Sequence, residues 1–114
     1  MPTMNFELVC TLDDVWEGDM AEFELGGQSI LLVWPRDGEI HAFQGVCPHQ
    51  DIPLVEGKFD GKTLMCRAHQ WTFDGSTGVG INPKDCRLAE YPVKLDGDNV
   101  YVALNGIQPV FAHT

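Results

Sequence analysis

Two short segments of the chain each place one cysteine close to one histidine. The first pair is Cys47 and His49, and the second is Cys66 and His69, with sixteen residues between His49 and Cys66. Each pair supplies one thiolate and one imidazole, and these groups bind zinc or iron in proteins. Two loops that approach a metal centre from opposite sides would each contribute one ligand of each kind.

The order of these ligands separates two kinds of metal site. Common structural zinc modules pair like ligands, with C-x2-4-C followed by H-x3-5-H. This chain instead has Cys-x-His followed by Cys-x-x-His. A Rieske [2Fe-2S] centre needs this mixed order, because its two cysteines hold one iron and its two histidines hold the other. A zinc-stabilised interaction module stays as an alternative, since tetrahedral zinc accepts the same four ligands.

Short strands are the elements that must position these four residues. Turn signals recur at residues 26–27, 36–38, 59–62, 73–75 and 95–99, and the runs between them predict strands at residues 21–25, 29–34, 40–44, 63–66, 71–73 and 99–104. One short helical turn is expected at residues 11–16, where Thr11 would cap and Asp14 follows three residues later. The pattern predicts an all-β protein in which the Gly-, Pro- and Cys-rich segment from about 45 to 92 is a loop-built site on a β scaffold.

Length and charge limit the classes of function. The chain has 114 residues, which predicts one domain spanning residues 1–114. Seven Lys and Arg stand against seventeen Asp and Glu, so the net charge of −10 excludes nucleic acid and anionic membrane surfaces as favoured partners and leaves a basic docking partner possible. No apolar run is long enough to cross a bilayer and no secretory signal is apparent, so a cytoplasmic location is expected.

The chain resembles the Rieske ferredoxin family over most of its length. The resemblance is carried by Cys-Pro-His at 47–49, by Cys-Arg-Ala-His-Gln-Trp-Thr-Phe-Asp at 66–74, by Thr-Gly at 77–78 and by Tyr-Pro-Val at 91–93. A narrower set, Leu-Asp-Asp-Val-Trp at 12–16, Gly-Ile-Asn-Pro at 80–83 and Leu-Ala-Glu-Tyr-Pro-Val at 88–93, is similar to the ferredoxin component of multicomponent toluene and xylene monooxygenases.

This resemblance implies a fold, a cofactor and a set of ligands. The fold is an antiparallel β sandwich of three small sheets with a cluster-binding tip built from loops. The cofactor is one [2Fe-2S] cluster, held by Cys47, His49, Cys66 and His69. A third loop, from Gly78 to Pro83, would cover the cluster.

The resemblance also implies a function without catalysis of its own. The protein is expected to be a one-electron carrier that takes electrons from an NADH-dependent flavin/iron-sulfur reductase. It would deliver them to an aromatic-hydrocarbon oxygenase, namely the di-iron hydroxylase of a toluene or xylene monooxygenase. The alternative is the ferredoxin of a Rieske aromatic-ring dioxygenase system. An oxygenase subunit with its own mononuclear iron is disfavoured, since only His41 and His113 remain as further histidines.

The surroundings of the ligands suggest a docking face and a low potential. Gln50, Asp51, Gln70 and Trp71 follow the two histidines directly and are the candidate partner-docking residues. Neither ligand segment carries the extra cysteine of respiratory-chain Rieske proteins, and the second lacks their hydroxyl donors, so fewer groups would stabilise the reduced state. Cys10 and Cys86 stand apart from these segments and are expected to be buried as small apolar residues.

Overall fold

The structure, a computed structural model, describes residues 5–48, 52–67, 71–82 and 86–110. Eleven strands form the framework of this part of the chain. Their bounds are β1 Glu7–Thr11, β2 Asp19–Leu25, β3 Gln28–Trp34, β4 His41–Gln44, β5 Lys58–Phe59, β6 Thr63–Met65, β7 Thr72–Asp74, β8 Gly80–Asn82, β9 Glu90–Tyr91, β10 Val93–Asp96 and β11 Asn99–Val102. A single 3-10 turn, Leu54–Glu56, lies between β4 and β5.

The strands form three small antiparallel sheets. Sheet 1 has the order β1-β11-β10, sheet 2 has β2-β3-β4-β9, and sheet 3 has β5-β6-β7-β8. The expected antiparallel sandwich of three small sheets is therefore confirmed. All six predicted strands are present with ends that move by one or two residues, and β1, β5, β8, β9 and β10 are additional.

Sheet 2 is the middle layer, and β3 shows why. Its Ile-Leu-Leu-Val run is fully buried, and successive side chains of a strand point to opposite faces. Ile30 and Leu32 belong to a core cluster with Val100 of β11, whereas Leu31 and Val33 belong to a second cluster. A continuous apolar run is what a strand covered on both faces requires.

The second core cluster contains the residues of chemical interest. Cys47, Cys66 and Cys86 are buried in it together with Phe43 of β4 and Phe73 of β7. It joins sheet 2 to the hairpins of sheet 3. The cysteines at 47 and 66 are therefore held against packed apolar side chains and not against solvent.

The turns follow the glycine signals in the sequence. Gly26 and Gly27 connect β2 to β3 with φ values of 58° and 79°, so both adopt the left-handed conformation that a two-residue hairpin turn needs. The expected helical turn at residues 11–16 is a hydrogen-bonded turn and not a helix. In it the Asp14 carboxylate accepts from the backbone N–H of Thr11 at 3.0 Å, which gives one half of a capping arrangement.

Within the described part of the chain, no helix has the length and apolar character needed to cross a membrane.

Candidate metal centre

Cys47 lies at the start of a tight hairpin that follows β4. Its backbone N–H donates to the carbonyl of Ile52 at 2.9 Å, and the N–H of Leu54 donates to the carbonyl of Gly45 at 2.9 Å. A bridge between Val46 and Pro53 lies between these two bonds. We call residues 45–54 the first ligand hairpin. Its loop begins at Cys47, which has no exposed surface.

Cys66 occupies the same position in a second hairpin, built on β6 and β7. Its backbone N–H donates to the carbonyl of Trp71 at 2.8 Å. Trp71 lies five residues after Cys66, just as Ile52 lies five residues after Cys47. We call residues 63–74 the second ligand hairpin. Cys66 is also fully buried. The two cysteines are thus equivalent in backbone geometry, and each opens a loop of the same length.

The segment that follows the first ligand hairpin lies against the base of the second one. A Cβ atom at Gly57 would overlap the carbonyl oxygen of Met65 and come within 3.2 Å of the backbone nitrogen of Arg67. These two residues flank Cys66. Only a residue without a side chain allows the chain after the first ligand hairpin to approach the second one so closely.

An ion pair joins the segment after the first ligand hairpin to the base of the second one. The Arg67 Nε lies 2.8 Å from Glu56 Oε1. Arg67 directly follows Cys66, and Glu56 ends the 3-10 turn that follows the first ligand hairpin. Both side chains are about half exposed, so the pair is expected to add little to global stability and mainly to fix local geometry.

A third hairpin borders the other two. The N–H of Gly80 donates to the carbonyl of Cys86, the N–H of Leu88 donates to the carbonyl of Gly78, and Val79 pairs with Arg87. Gly78 has a φ of 76°, and a Cβ there would lie 2.8 Å from the Phe43 ring. The expected loop at residues 78–83 thus belongs to a hairpin of residues 78–88, of which residues 83–85 lie outside the described residues.

Asp74 sits in the turn that leads from β7 into this third hairpin. The hydroxyl of Ser76 donates to Asp74 Oδ1 at 2.6 Å, and the Ser76 backbone N–H donates to the same oxygen at 2.8 Å. The hydroxyl bond and then the backbone bond lower the pKa of the Asp74 carboxyl below its usual value, so the carboxylate is stabilised as an anion. The turn is therefore fixed by a charged cap.

Several predicted site residues lie outside the described residues. They are His49, Gln50, Asp51, His69 and Gln70. Among the residues that the structure does describe, no three His, Cys, Asp or Glu side chains come together as a metal site. What the structure shows of the predicted ligand set is therefore the two cysteines and the two hairpins that carry them.

Trp71 is the one candidate docking residue that the structure describes. It is partly buried and packs against the second core cluster, which contains Cys47 and Cys66. Its carbonyl also closes the loop that begins at Cys66. Trp71 therefore combines a packing role with a partly exposed position next to the ligand loop.

The two outlying cysteines have different surroundings. Cys10 lies in the first core cluster, between sheets 1 and 2, and burial followed by the charge of Asp14 raises the pKa of its thiol to about 11. Cys86 lies in the second core cluster with Cys47 and Cys66. Sequence reasoning treated the two alike, because neither has a histidine at ligand spacing. Both are buried, as expected.

Sequence reasoning also missed two exposed apolar residues near the ligand hairpins. Val79 and Ile81 are about half exposed. Ile81 lies in β8, whose neighbour Asn82 pairs with Thr72, three residues after His69. Their signal in the sequence is weak, since a single apolar residue in a short strand is more often buried.

Comparison with known proteins identifies the family. The model of the Rieske [2Fe-2S] domain matches residues 5–92. The chain belongs to the Rieske [2Fe-2S] family. Domains of this family hold one [2Fe-2S] cluster, and two cysteines buried in the same core cluster, each at the start of a hairpin loop, fit the cysteine half of such a centre.

Relatives of this Rieske domain are ferredoxin components of oxygenase systems. It is 42% identical over 104 residues to the ferredoxin component of the alkene monooxygenase system of Xanthobacter autotrophicus, covering 90% of this chain and 81% of that protein. It is 31% identical over 103 residues to the ferredoxin component of the naphthalene 1,2-dioxygenase/salicylate 5-hydroxylase systems of Ralstonia sp., covering 90% and 98%.

A solved structure agrees in fold. The ferredoxin of carbazole 1,9a-dioxygenase from Nocardioides aromaticivorans superposes with a TM-score of 0.76 at 27% identity, covering 86% of this chain and 96% of that one. The protein is therefore an electron carrier of a multicomponent oxygenase system and not itself a catalyst. It works with an oxygenase and a reductase.

Proposed function

We propose that Cys47, His49, Cys66 and His69 are the four ligands of the cluster. The observation that carries this proposal is the equivalence of Cys47 and Cys66. Both are fully buried, and both donate a backbone N–H to the carbonyl five residues on. Each opens a loop that contains a histidine, two residues on in the first hairpin and three residues on in the second.

The chemistry of the donor set supports a one-electron carrier. A bound [2Fe-2S] cluster with this ligand set takes up and releases one electron. The protein contributes burial on the cysteine side, where Cys47 and Cys66 lie within the second core cluster. The backbone bonds at both loop bases limit rearrangement, so that little reorganisation accompanies each electron.

We further propose that the oxygenase partner is the hydroxylase of a di-iron monooxygenase that acts on hydrocarbons such as toluene or xylene. Support comes from the identity of 42% to the ferredoxin of an alkene monooxygenase system. The reductase would be an NADH-dependent flavin/iron-sulfur protein, and the whole system would work in the cytoplasm. The carrier itself would be a single domain spanning residues 1–114. The observation in support of the alternative, a Rieske dioxygenase system, is the identity of 31% to the ferredoxin component of the naphthalene 1,2-dioxygenase/salicylate 5-hydroxylase systems.

The ligand proposal is tested by single alanine variants of the four ligands and of the two other cysteines. Each of Cys47→Ala, His49→Ala, Cys66→Ala and His69→Ala is expected to lose the normal cluster, because half of one iron's protein ligands disappears. Cys10→Ala and Cys86→Ala should keep two irons per chain. Iron and zinc content, visible absorption and the electron paramagnetic resonance (EPR) spectrum of dithionite-reduced protein are the measurements.

The outcomes separate the alternatives. A reduced Rieske cluster gives a lower average g value than an all-cysteine [2Fe-2S] cluster. An EPR-silent protein that contains zinc would support the interaction module, and dependence of the iron on Cys86 would change the ligand set. The oxygenase type is decided by reconstitution, in which the reduced protein is mixed with a di-iron hydroxylase or with a Rieske dioxygenase and the rate of electron transfer to each is compared.

A further inference from the structure

Gln44 is a fully buried polar residue at the end of β4, three residues before Cys47. Its side-chain amide has every hydrogen-bonding position in use. The Nε2 group donates to the carbonyls of Val46 and Val110, each at 2.9 Å. The Oε1 atom accepts from the backbone N–H groups of Ala89 and Val110, each at 2.8 Å. A buried amide that is completely satisfied in this way fixes the position of each group that it contacts.

The hydrogen bond to the Val46 carbonyl constrains the peptide bond that precedes Cys47. The Val46 carbonyl and the Cys47 N–H belong to the same peptide bond, which is planar. Gln44 holds the carbonyl end of this plane, and the carbonyl of Ile52 accepts from the N–H end at 2.9 Å. With both ends held, the plane cannot rotate freely, and its orientation sets the direction in which the Cys47 side chain leaves the backbone.

The bonds to Val110 bring in a segment that is distant in sequence. Val110 lies sixty-six residues from Gln44, after the last strand, in a stretch without regular secondary structure. Both its backbone N–H and its carbonyl bond to the Gln44 amide. Val110 also packs on the first core cluster, as does Ile107.

We propose that the C-terminal segment at Val110 is a strap that positions the first ligand hairpin through Gln44. Gln44 is a positioning residue: it acts on Cys47 through the shared peptide bond and does not touch the cluster. Without the strap, the Gln44 amide loses two of its four hydrogen bonds, and its hydrogen bond to the Val46 carbonyl is less firmly oriented. The proposal rests on Cys47 being a cluster ligand.

Two pairs of variants of the cluster-loaded protein test the strap. A chain truncated after Gln108 lacks Val110, whereas a chain truncated after Phe111 keeps the Val110 amide and carbonyl and serves as its control. Val110→Pro removes the N–H that donates to Gln44 and keeps the carbonyl, and Val110→Ala keeps both backbone groups while shortening the side chain. Gln44→Met removes all four side-chain bonds while keeping a similar volume.

The expected results are local to the first ligand hairpin. Val110→Pro should release iron to a chelator about tenfold faster, since one unmade buried hydrogen bond corresponds to roughly that factor, and the Gln108 truncation and Gln44→Met, which remove more bonds, should have at least that effect. They should also shift the reduction potential and the EPR g values. Hydrogen exchange should accelerate in a peptide covering residues 45–54 and stay unchanged in one covering residues 19–34. Both controls should match the unmodified protein.

Other results would overturn the proposal. Unchanged iron release, potential and exchange at residues 45–54 in the Gln108 truncation and Val110→Pro would mean that the strap does not position the hairpin. Equal acceleration of exchange in both peptides would mean that Gln44 contributes only to general stability. If Gln44→Met does not fold, the Val110 pair decides alone. Failure of the ligand assignment is a separate result, because Cys47→Ala would then retain its cluster.

Discussion

Arg67 Nε and Glu56 Oε1 lie 2.8 Å apart and thereby connect the segment that follows the first ligand hairpin to the base of the second one. Arg67 is next to Cys66 in the chain, and Glu56 is two residues beyond the end of the first hairpin. Because both side chains are about half exposed, their attraction is screened by water and salt. The pair is therefore expected to affect the relative position of the hairpins more than the stability of the fold.

A double-mutant cycle tests this expectation. Arg67→Glu and Glu56→Arg should each place like charges side by side and release iron severalfold faster, whereas the reversed pair in the double variant should restore most of the original rate. The thermal midpoint should change by only a few degrees, since exposed pairs contribute about 0.2–1 kcal/mol. The iron-release rate at low and high salt is the measurement. A double variant that is worse than either single variant would contradict the coupling.

Gly57→Ala should disturb the packing of this segment on the second ligand hairpin more strongly than loss of the ion pair does. The new methyl group would overlap the Met65 carbonyl oxygen, so the backbone on one side must move. Such overpacking costs about 1–3 kcal/mol, and we expect the thermal midpoint to fall by about 5–15 °C with a broadened EPR spectrum. Gly38→Ala is the matched control, because its methyl group would lie 3.4 Å from the nearest atom, Pro35 Cβ. Equal effects of the two substitutions would refute the packing argument.

The midpoint potential should lie near the low end of the Rieske range, at about −150 mV. The residues that follow His69 are Gln70, Trp71, Thr72 and Phe73, and neither ligand segment has a second cysteine. We therefore expect fewer hydrogen-bond donors around the cluster than in respiratory-chain Rieske proteins and no adjacent disulfide, which would leave the reduced cluster less stabilised. A redox titration followed by EPR gives the value, with Cys10→Ala as a variant that should not change it. A potential well above zero at neutral pH would be incompatible with this account.

The histidine tip should be the docking face for the oxygenase. Asp51→Asn and Asp96→Asn remove the same charge, the first two residues after His49 in the sequence and the second in β10 of sheet 1. Asp51→Asn should change the rate of electron delivery about threefold or more with little change in the cluster spectrum, and Asp96→Asn should have a much smaller effect. Gln50, Gln70 and Trp71 variants extend the series.

Salt provides an independent check on docking. The net charge of −10 predicts attraction to a basic surface, so the rate of association should fall as salt shortens the screening length to about 8 Å at physiological ionic strength. Stopped-flow kinetics with the purified hydroxylase measure the effect of the tip variants and the effect of salt on electron transfer. If all the tip variants transfer electrons at the original rate, the docking face lies elsewhere, and the exposed pair Val79 and Ile81 becomes the next surface to substitute.

The sequence alone determined the family, the four candidate ligands and the β-rich fold. These features are local in the chain: the Cys-x-His and Cys-x-x-His spacing lies within a few residues, and strands and turns appear as short apolar runs separated by glycine.

Only the tertiary structure decided which distant residues support the ligand hairpins. Gln44 and Val110 are sixty-six residues apart, and no periodicity links them. Likewise, Gly57 and the ion pair between Glu56 and Arg67 gain their roles only because the segment after the first ligand hairpin packs on the base of the second one. Cys10 and Cys86 look alike in sequence but lie in different core clusters. The reason is physical: secondary structure follows from local preferences, whereas contacts between hairpins depend on how all the apolar faces are buried at once.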